Sequence, residues 1–166
     1  MSDALGSEAS GDRPPIPPRR PDETALIIRG VRRHLVALGA APLDEVTLPS
    51  GRRADVMALW PNGDLWIVEI KSSVEDFRVD LKWPDYRAHC DRLYFATTPR
   101  VPVDIFPTDC GLIIADAHGA DIFRDAPEHR LAAATRKSLT ARFARLGALR
   151  LAGLLDPSLS GAAETG

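Results

Sequence analysis

Two apolar, strand-forming runs, 53–60 and 65–70, flank Pro61-Asn62-Gly63-Asp64, which is the pattern of a β-hairpin around a turn. Before it, Ile27, Val31, Leu35 and Leu38 fall at i, i+4, i+8 and i+11, a single apolar stripe that predicts an amphipathic helix over 22–38. Asp22 suits its N-cap and Gly39 its stop. A short strand over 45–48 ends at Ser50-Gly51 and leads antiparallel into the hairpin. After the hairpin the period lengthens again. Ser73 and Asp76 resemble a capping box, Phe77 and Leu81 recur four apart, and Pro84 suits the first turn of a helix continuing to about residue 90. A strand over 92–97 follows, so strand, helix and strand form a right-handed crossover with parallel strands. A proline-punctuated loop over 98–109, a buried strand over 112–115, a turn at His118-Gly119 and an edge strand over 120–124 come next. A final helix spans 130–155, with Leu139, Phe143 and Leu146 on its inner face. The expected fold is α/β: a mixed β-sheet flanked by helices, with core order αβββαβ followed by two strands and a C-terminal helix.

Composition narrows this picture without redirecting it. A chain of 166 residues, 45% hydrophobic and 27% charged, suits one globular domain with tails. Residues 1–21 are rich in Ser, Gly and Pro and are expected to be a disordered tail, 22–155 the domain, and 156–166 a second tail. No apolar run approaches the roughly 20 residues that cross a bilayer, and the N-terminal stretch holds no signal-peptide core. A cytoplasmic protein with no membrane contact is expected. Cys90 and Cys110 share no ligand spacing with His34, His89, His118 or His129, so reduced thiols are expected and no histidine is assigned. With a formal net charge of −2, any contact with nucleic acid must come from local basic patches.

The candidate chemistry lies in the hairpin, and the turn decides its geometry. A two-residue Asn62-Gly63 loop would pair Asp55 with Ile70 and put Asp55 on the opposite face from Glu69 and Lys71. Pro61 favours the other register. Its fixed φ suits the second position of a type I turn, with Gly63 supplying a left-handed bulge. That three-residue loop pairs Trp60 with Asp64, and therefore Asp55 with Glu69. Side chains alternate along a strand, so Lys71 shares the face of Glu69. Two carboxylates and an ammonium in apolar strands call for pairing or a metal. A divalent cation between Asp55 and Glu69, with Lys71 on a phosphate oxygen, is a phosphodiesterase arrangement. An exposed salt-bridge trio on a polar sheet face is the alternative.

Asp55, then thirteen residues, then Glu69-Ile70-Lys71, resembles the signature of the PD-(D/E)xK nuclease superfamily, with Ala54 where a proline often precedes the aspartate. The stretch RRADVMALWPNGDLWIVEIKSSVEDFRVDLKWPDYRAHCDRLYFA, continued by GLIIADAHGADIFRDAPEHRLAAATRKSLTARFARL, resembles the MmcB family of bacterial DNA-repair proteins, itself similar to that superfamily. The resemblance covers roughly residues 22–150. It implies a restriction-endonuclease-like core and DNA as partner, with other DNA-repair proteins as further partners. It implies Asp55, Glu69 and Lys71 as catalytic residues, and Asp55, Glu69 and the backbone carbonyl of Ile70 as ligands of Mg²⁺, with Mn²⁺ as substitute. The expected activity is metal-dependent hydrolysis of DNA phosphodiester bonds. The alternative is a non-catalytic DNA-binding or accessory repair protein on the same fold.

The DNA contacts are sought among basic residues around that hairpin. Between residues 130 and 150 the last helix carries Arg130, Arg136, Lys137, Arg142, Arg145 and Arg150 and no acid, a bias suited to phosphate contact. Arg142 and Arg145, Arg52 and Arg53 beside the hairpin, and Lys82 are the assigned candidates. Trp83 and Tyr86 could stack an unpaired base or serve as packing. Asp76 reads as a helix cap and Asp80 as part of a solvated helix face.

Overall fold

The computed structural model describes residues 22–159. The predicted tail over 1–21 and residues 160–166 lie outside the described residues. Six strands form one mixed sheet in the order β1-β2-β3-β4-β5-β6: β1 Ala41–Thr47, β2 Arg53–Leu59, β3 Leu65–Ile70, β4 Arg92–Thr97, β5 Gly111–Ala115 and β6 Ala120–Arg124. Strands β3, β4 and β5 run parallel and the other neighbours antiparallel. The helices are α1 Glu23–Ala37, α2 Val74–Val79 and α3 Ala133–Leu155, with a 3₁₀ helix at Trp83–His89 between α2 and β4. This is the α/β fold and element order expected from periodicity.

Each face of the sheet is covered because its strands are apolar on both sides. Ile27, Val31 and Leu35 of α1 pack on Val56, Val68, Tyr94 and Ile113. The other face gathers Met57, Ile67, Phe95 and Leu112 under Leu139, Phe143 and Leu146 of α3, with Phe77, Trp83 and Tyr86. Asp22 caps α1 through Thr24 N–H. The helix ends in a Schellman pattern, Ala40 N–H bonding Leu35 O at 2.9 Å, with Gly39 at φ 92°. Leu38, the last residue of the predicted stripe, falls past the helix and is 47% exposed.

Two elements differ from expectation. Strand β1 starts four residues earlier, at Ala41 rather than 45, because an edge strand tolerates Pro42. Its register with β2 is the same on both sides of Glu45, Asp44 opposite Val56 and Val46 opposite Ala54, although Glu45 itself adopts φ 50°. The second helix does not continue through Pro84. It stops at Val79 with Asp80 as C-cap, and Pro84 opens the separate 3₁₀ helix.

Helix α3 corrects the reading of its charges. Arg136 makes a two-pronged pair with the buried Asp91, 2.6 and 2.7 Å, and Asp91 also accepts Leu65 N–H and Leu131 N–H. Arg150 donates to the carbonyls of Asp44 and Glu45, and Arg142 to that of Thr47 at 3.2 Å. The helix starts at Ala133 rather than at 130, so Arg130 lies before it. Three of the other five cations tie α3 to the hairpin, through Arg136 on the Gly63 carbonyl, and to edge strand β1, satisfying backbone acceptors that an edge leaves open.

Candidate active site

The β2–β3 hairpin has the three-residue turn. Trp60 N–H bonds Asp64 O at 2.9 Å, Gly63 N–H bonds Trp60 O at 2.9 Å, and Gly63 sits at φ 87°. The ladder pairs Leu59 with Leu65 through Val56 with Val68, which puts Asp55 opposite Glu69 one step beyond. There side chains replace the ladder. Ile70 N–H donates to Asp55 Oδ2 at 2.8 Å, and Asp55 N–H donates to Glu69 Oε1 at 3.2 Å. Each carboxylate accepts from the backbone of the other's strand, so the pair is crossed and held at the point where the hairpin opens.

The trio is not an exposed surface cluster. Glu69 is 3% and Lys71 6% exposed. Lys71 N–H bonds Ala96 O at 2.9 Å, and Thr97 Oγ1 donates to Lys71 O at 2.6 Å, which fixes the end of β3 against β4. The ammonium turns to Asp80, Nζ to Oδ2 2.7 Å. Asp80 is the C-cap of α2, so the helix break that sequence periodicity did not predict is what delivers this carboxylate. Asp76 accepts Ser72 N–H at 3.1 Å while Ser73 caps its own N–H. Tyr86 lies between these groups and the core, its hydroxyl donating to Arg53 O at 3.1 Å.

Burial sets the electrostatics. Glu69 is pushed up to about 8, by burial first and then by the charge of Asp55, against the opposing Asp55 N–H and Lys71. Burial also raises Asp55, although Ile70 N–H and Lys71 oppose it. Burial raises Asp80 too, but the Lys71 hydrogen bond and charge outweigh it and leave the carboxyl below its ordinary value. The Tyr86 phenol is raised by burial and by Glu69, Asp55 and Asp80. Two adjacent acids that resist ionising together, beside a fixed ammonium, form a site with unmet negative charge once deprotonated.

The other candidates divide. Arg52 is held on Asp85 Oδ2 at 2.8 and 3.0 Å, and Arg53 on Glu45 at 3.3 Å with its side chain 62% exposed. Thr47, whose carbonyl Arg142 holds, pairs with Arg53, so Arg142 reaches the end of β1 that faces the start of β2. Arg145 and Lys82 are exposed. Trp83 and Tyr86 serve as packing: Trp83 meets Phe95 edge-on at 5.5 Å, with Arg87 over its ring at 5.3 Å, and Tyr86 is 8% exposed. Asp80, expected on a solvated helix face, is the site residue whose role sequence reasoning missed. Asp80 lies nine residues from Lys71 across a helix, and no local spacing signals such a pair. Cys90 and Cys110 are both free and buried. Among the described residues no helix is long and apolar enough to cross a membrane.

The family model described as DNA repair protein MmcB-like matches residues 12–158. A solved structure of a protein of unknown function from Silicibacter pomeroyi is 44% identical, with a TM-score of 0.80, over 82% of this chain and 94% of that one. No curated protein matches the chain.

Proposed function

This chain belongs to the MmcB-like family of DNA repair proteins, and from that premise we propose that it is a divalent-metal-dependent nuclease hydrolysing DNA phosphodiester bonds. The observation that carries the proposal is the facing of Asp55 and Glu69 across the opened hairpin, with Lys71 beyond them on the same strand as Glu69.

The donor set suits the cation. Among the described residues no three His, Cys, Asp or Glu side chains form a ready metal cluster; the protein's share would be the two facing carboxylates of Asp55 and Glu69 with the Ile70 carbonyl. Mg²⁺ is commonly held through one or two carboxylates and keeps several waters. The raised Asp55 and Glu69 fit a pair whose charge a cation neutralises. When bound, Mg²⁺, or Mn²⁺ in its place, supplies Lewis acidity at the scissile phosphate.

The chain's own residues do the rest. Asp55 and Glu69 would hold the cation where the hairpin opens. Lys71, held by burial and by Asp80, presents an ammonium whose pairing with a phosphate oxygen stabilises negative charge developing in the transition state. Asp80 acts through Lys71 as a positioning residue. Arg53, Arg145 and Lys82 would hold flanking phosphates without reading sequence, and Arg52, already paired with Asp85, and Arg142, already on the Thr47 carbonyl, would add to the same patch.

One observation favours a second reading, a non-catalytic DNA-binding or accessory repair protein: both carboxylates already accept a backbone N–H. Cleavage of labelled single-stranded, duplex, nicked, flapped and branched DNA with Mg²⁺, Mn²⁺ or EDTA separates the two. Metal-dependent cutting lost in Glu69→Ala and Lys71→Ala supports the nuclease. Binding without cutting, unchanged in both variants, refutes it in favour of the accessory protein.

A further inference from the structure

Beside Lys71 the surface changes character. Val79 and Leu81 are 79% and 83% exposed, and they flank Asp80, whose carboxylate turns inward to Lys71 Nζ at 2.7 Å. Arg78 and Lys82, outside them, are exposed too. The five residues therefore run cation, apolar, inward acid, apolar, cation. Hydrogen bonds brace the turn: Asp80 N–H to Phe77 O at 3.2 Å and Leu81 N–H to Val79 O at 3.2 Å along the backbone, and Lys82 N–H to the Asp80 side chain, Oδ1, at 3.1 Å. Its flanks are anchored in the core, Phe77 on Phe106 at 4.9 Å and Trp83 on Phe95 at 5.5 Å. Of the nearby exposed acids, Asp85 is neutralised by Arg52 at 2.8 Å, and Glu75 lies back toward the start of α2.

Resting on the DNA reading of the site, we infer that residues 78–82 form a wedge entering DNA at an unpaired or opened base step beside the scissile phosphate. Val79 and Leu81 pack on base faces, and Arg78 and Lys82 hold the phosphates on either side. Charge complementarity selects this occupant: an apolar pair between two cations matches a polyanion that carries flat apolar rings. Apolar side chains inserted between base steps unstack them, and the cost is least where a base is already unpaired. The wedge therefore confers preference for forks and flaps over continuous duplex. Asp80 couples that recognition to the site, because the carboxylate that braces the wedge also holds Lys71.

The test is binding by the full chain in EDTA, so that nothing is cut. The probes are a fork carrying 2-aminopurine at its junction and a blunt duplex of the same sequence. Wild type is expected to bind the fork with a rise in 2-aminopurine fluorescence. The V79S/L81S double variant should lose that rise and bind the fork about tenfold more weakly, with duplex affinity and melting temperature unchanged. R78Q/K82Q should weaken both probes alike and lower the salt slope by roughly 0.9 per phosphate contact. A V79S/L81S protein with wild-type fork affinity and fluorescence overturns the wedge alone. So does a change of oligomeric state with unaltered DNA binding, which would make the patch a protein contact. Wild type binding neither probe overturns the DNA reading and the wedge with it.

Discussion

Replacing Glu69 by glutamine removes the proton equilibrium of this carboxyl while keeping its shape. Glu69 is 3% exposed, and burial and the Asp55 charge push it from 4.5 to about 8. A folded-state pKa above the unfolded value means that the folded protein binds the proton more tightly. Its stabilising contribution is therefore full below about pH 4.5 and is lost as pH rises toward 8. Where the folded form keeps the proton and the unfolded chain has released it, stability falls by about 1.4 kcal/mol per pH unit. From 4.5 to pH 7 the loss is roughly 3 kcal/mol, and glutamine, with no proton to release, escapes it. In EDTA at pH 7, Glu69→Gln is expected to exceed wild type by roughly 2–3 kcal/mol, a melting temperature higher by about 10 °C. Near pH 4 the two should melt together. Asp55, raised in the same direction, leaves the variant a smaller residual slope. Calorimetric melts of both proteins from pH 4 to 8.5 decide it. Mg²⁺ should raise the wild-type melting temperature at pH 7.5 and leave the variant almost unmoved. Parallel pH curves would refute the assignment of Glu69 as a buried, cation-demanding acid.

Three other perturbations test separate parts of the account. A double-mutant cycle of Lys71→Met and Asp80→Asn, read by urea unfolding, should give a coupling of about 1–3 kcal/mol for their 2.7 Å pair, and additive effects would dissolve it. Gly30→Ala should cost at least roughly 2 kcal/mol, because its Cβ would lie 2.0 Å from Asp116 O and 2.5 Å from Gly119 O; an unchanged thermal midpoint would contradict this packing of α1. Arg145→Gln should lower the slope of log affinity against log salt for duplex DNA by about 0.9, whereas Arg136→Gln should act on stability through Asp91.

The hairpin was legible because its register is a local matter. Pro61 and Gly63 select the turn, the turn selects the pairing, and the pairing puts Asp55 across from Glu69. Helix α1 was legible for the same reason, with a stripe, a cap and a glycine stop in one stretch. The Lys71–Asp80 pair was not, since it depends on α2 ending at Val79 and folding its last turn back over β3. The basic bias of α3 was visible but its use was not. Counting charges cannot show that Arg136 meets the buried Asp91, or that Arg150 meets the carbonyls of Asp44 and Glu45. Phosphate-facing and structural arginines look alike until the acceptors around them are in place.

If Asp55 and Glu69 form one cation site, calorimetric titration of Mn²⁺ into the full chain will read it. Run at pH 7 in two buffers of different ionisation enthalpy, it should show one tight ion per chain and release of about one proton, because Glu69 must ionise to bind. Asp55→Asn should abolish that binding. Binding that persists in Asp55→Asn, or no binding by wild type at all, would contradict the site.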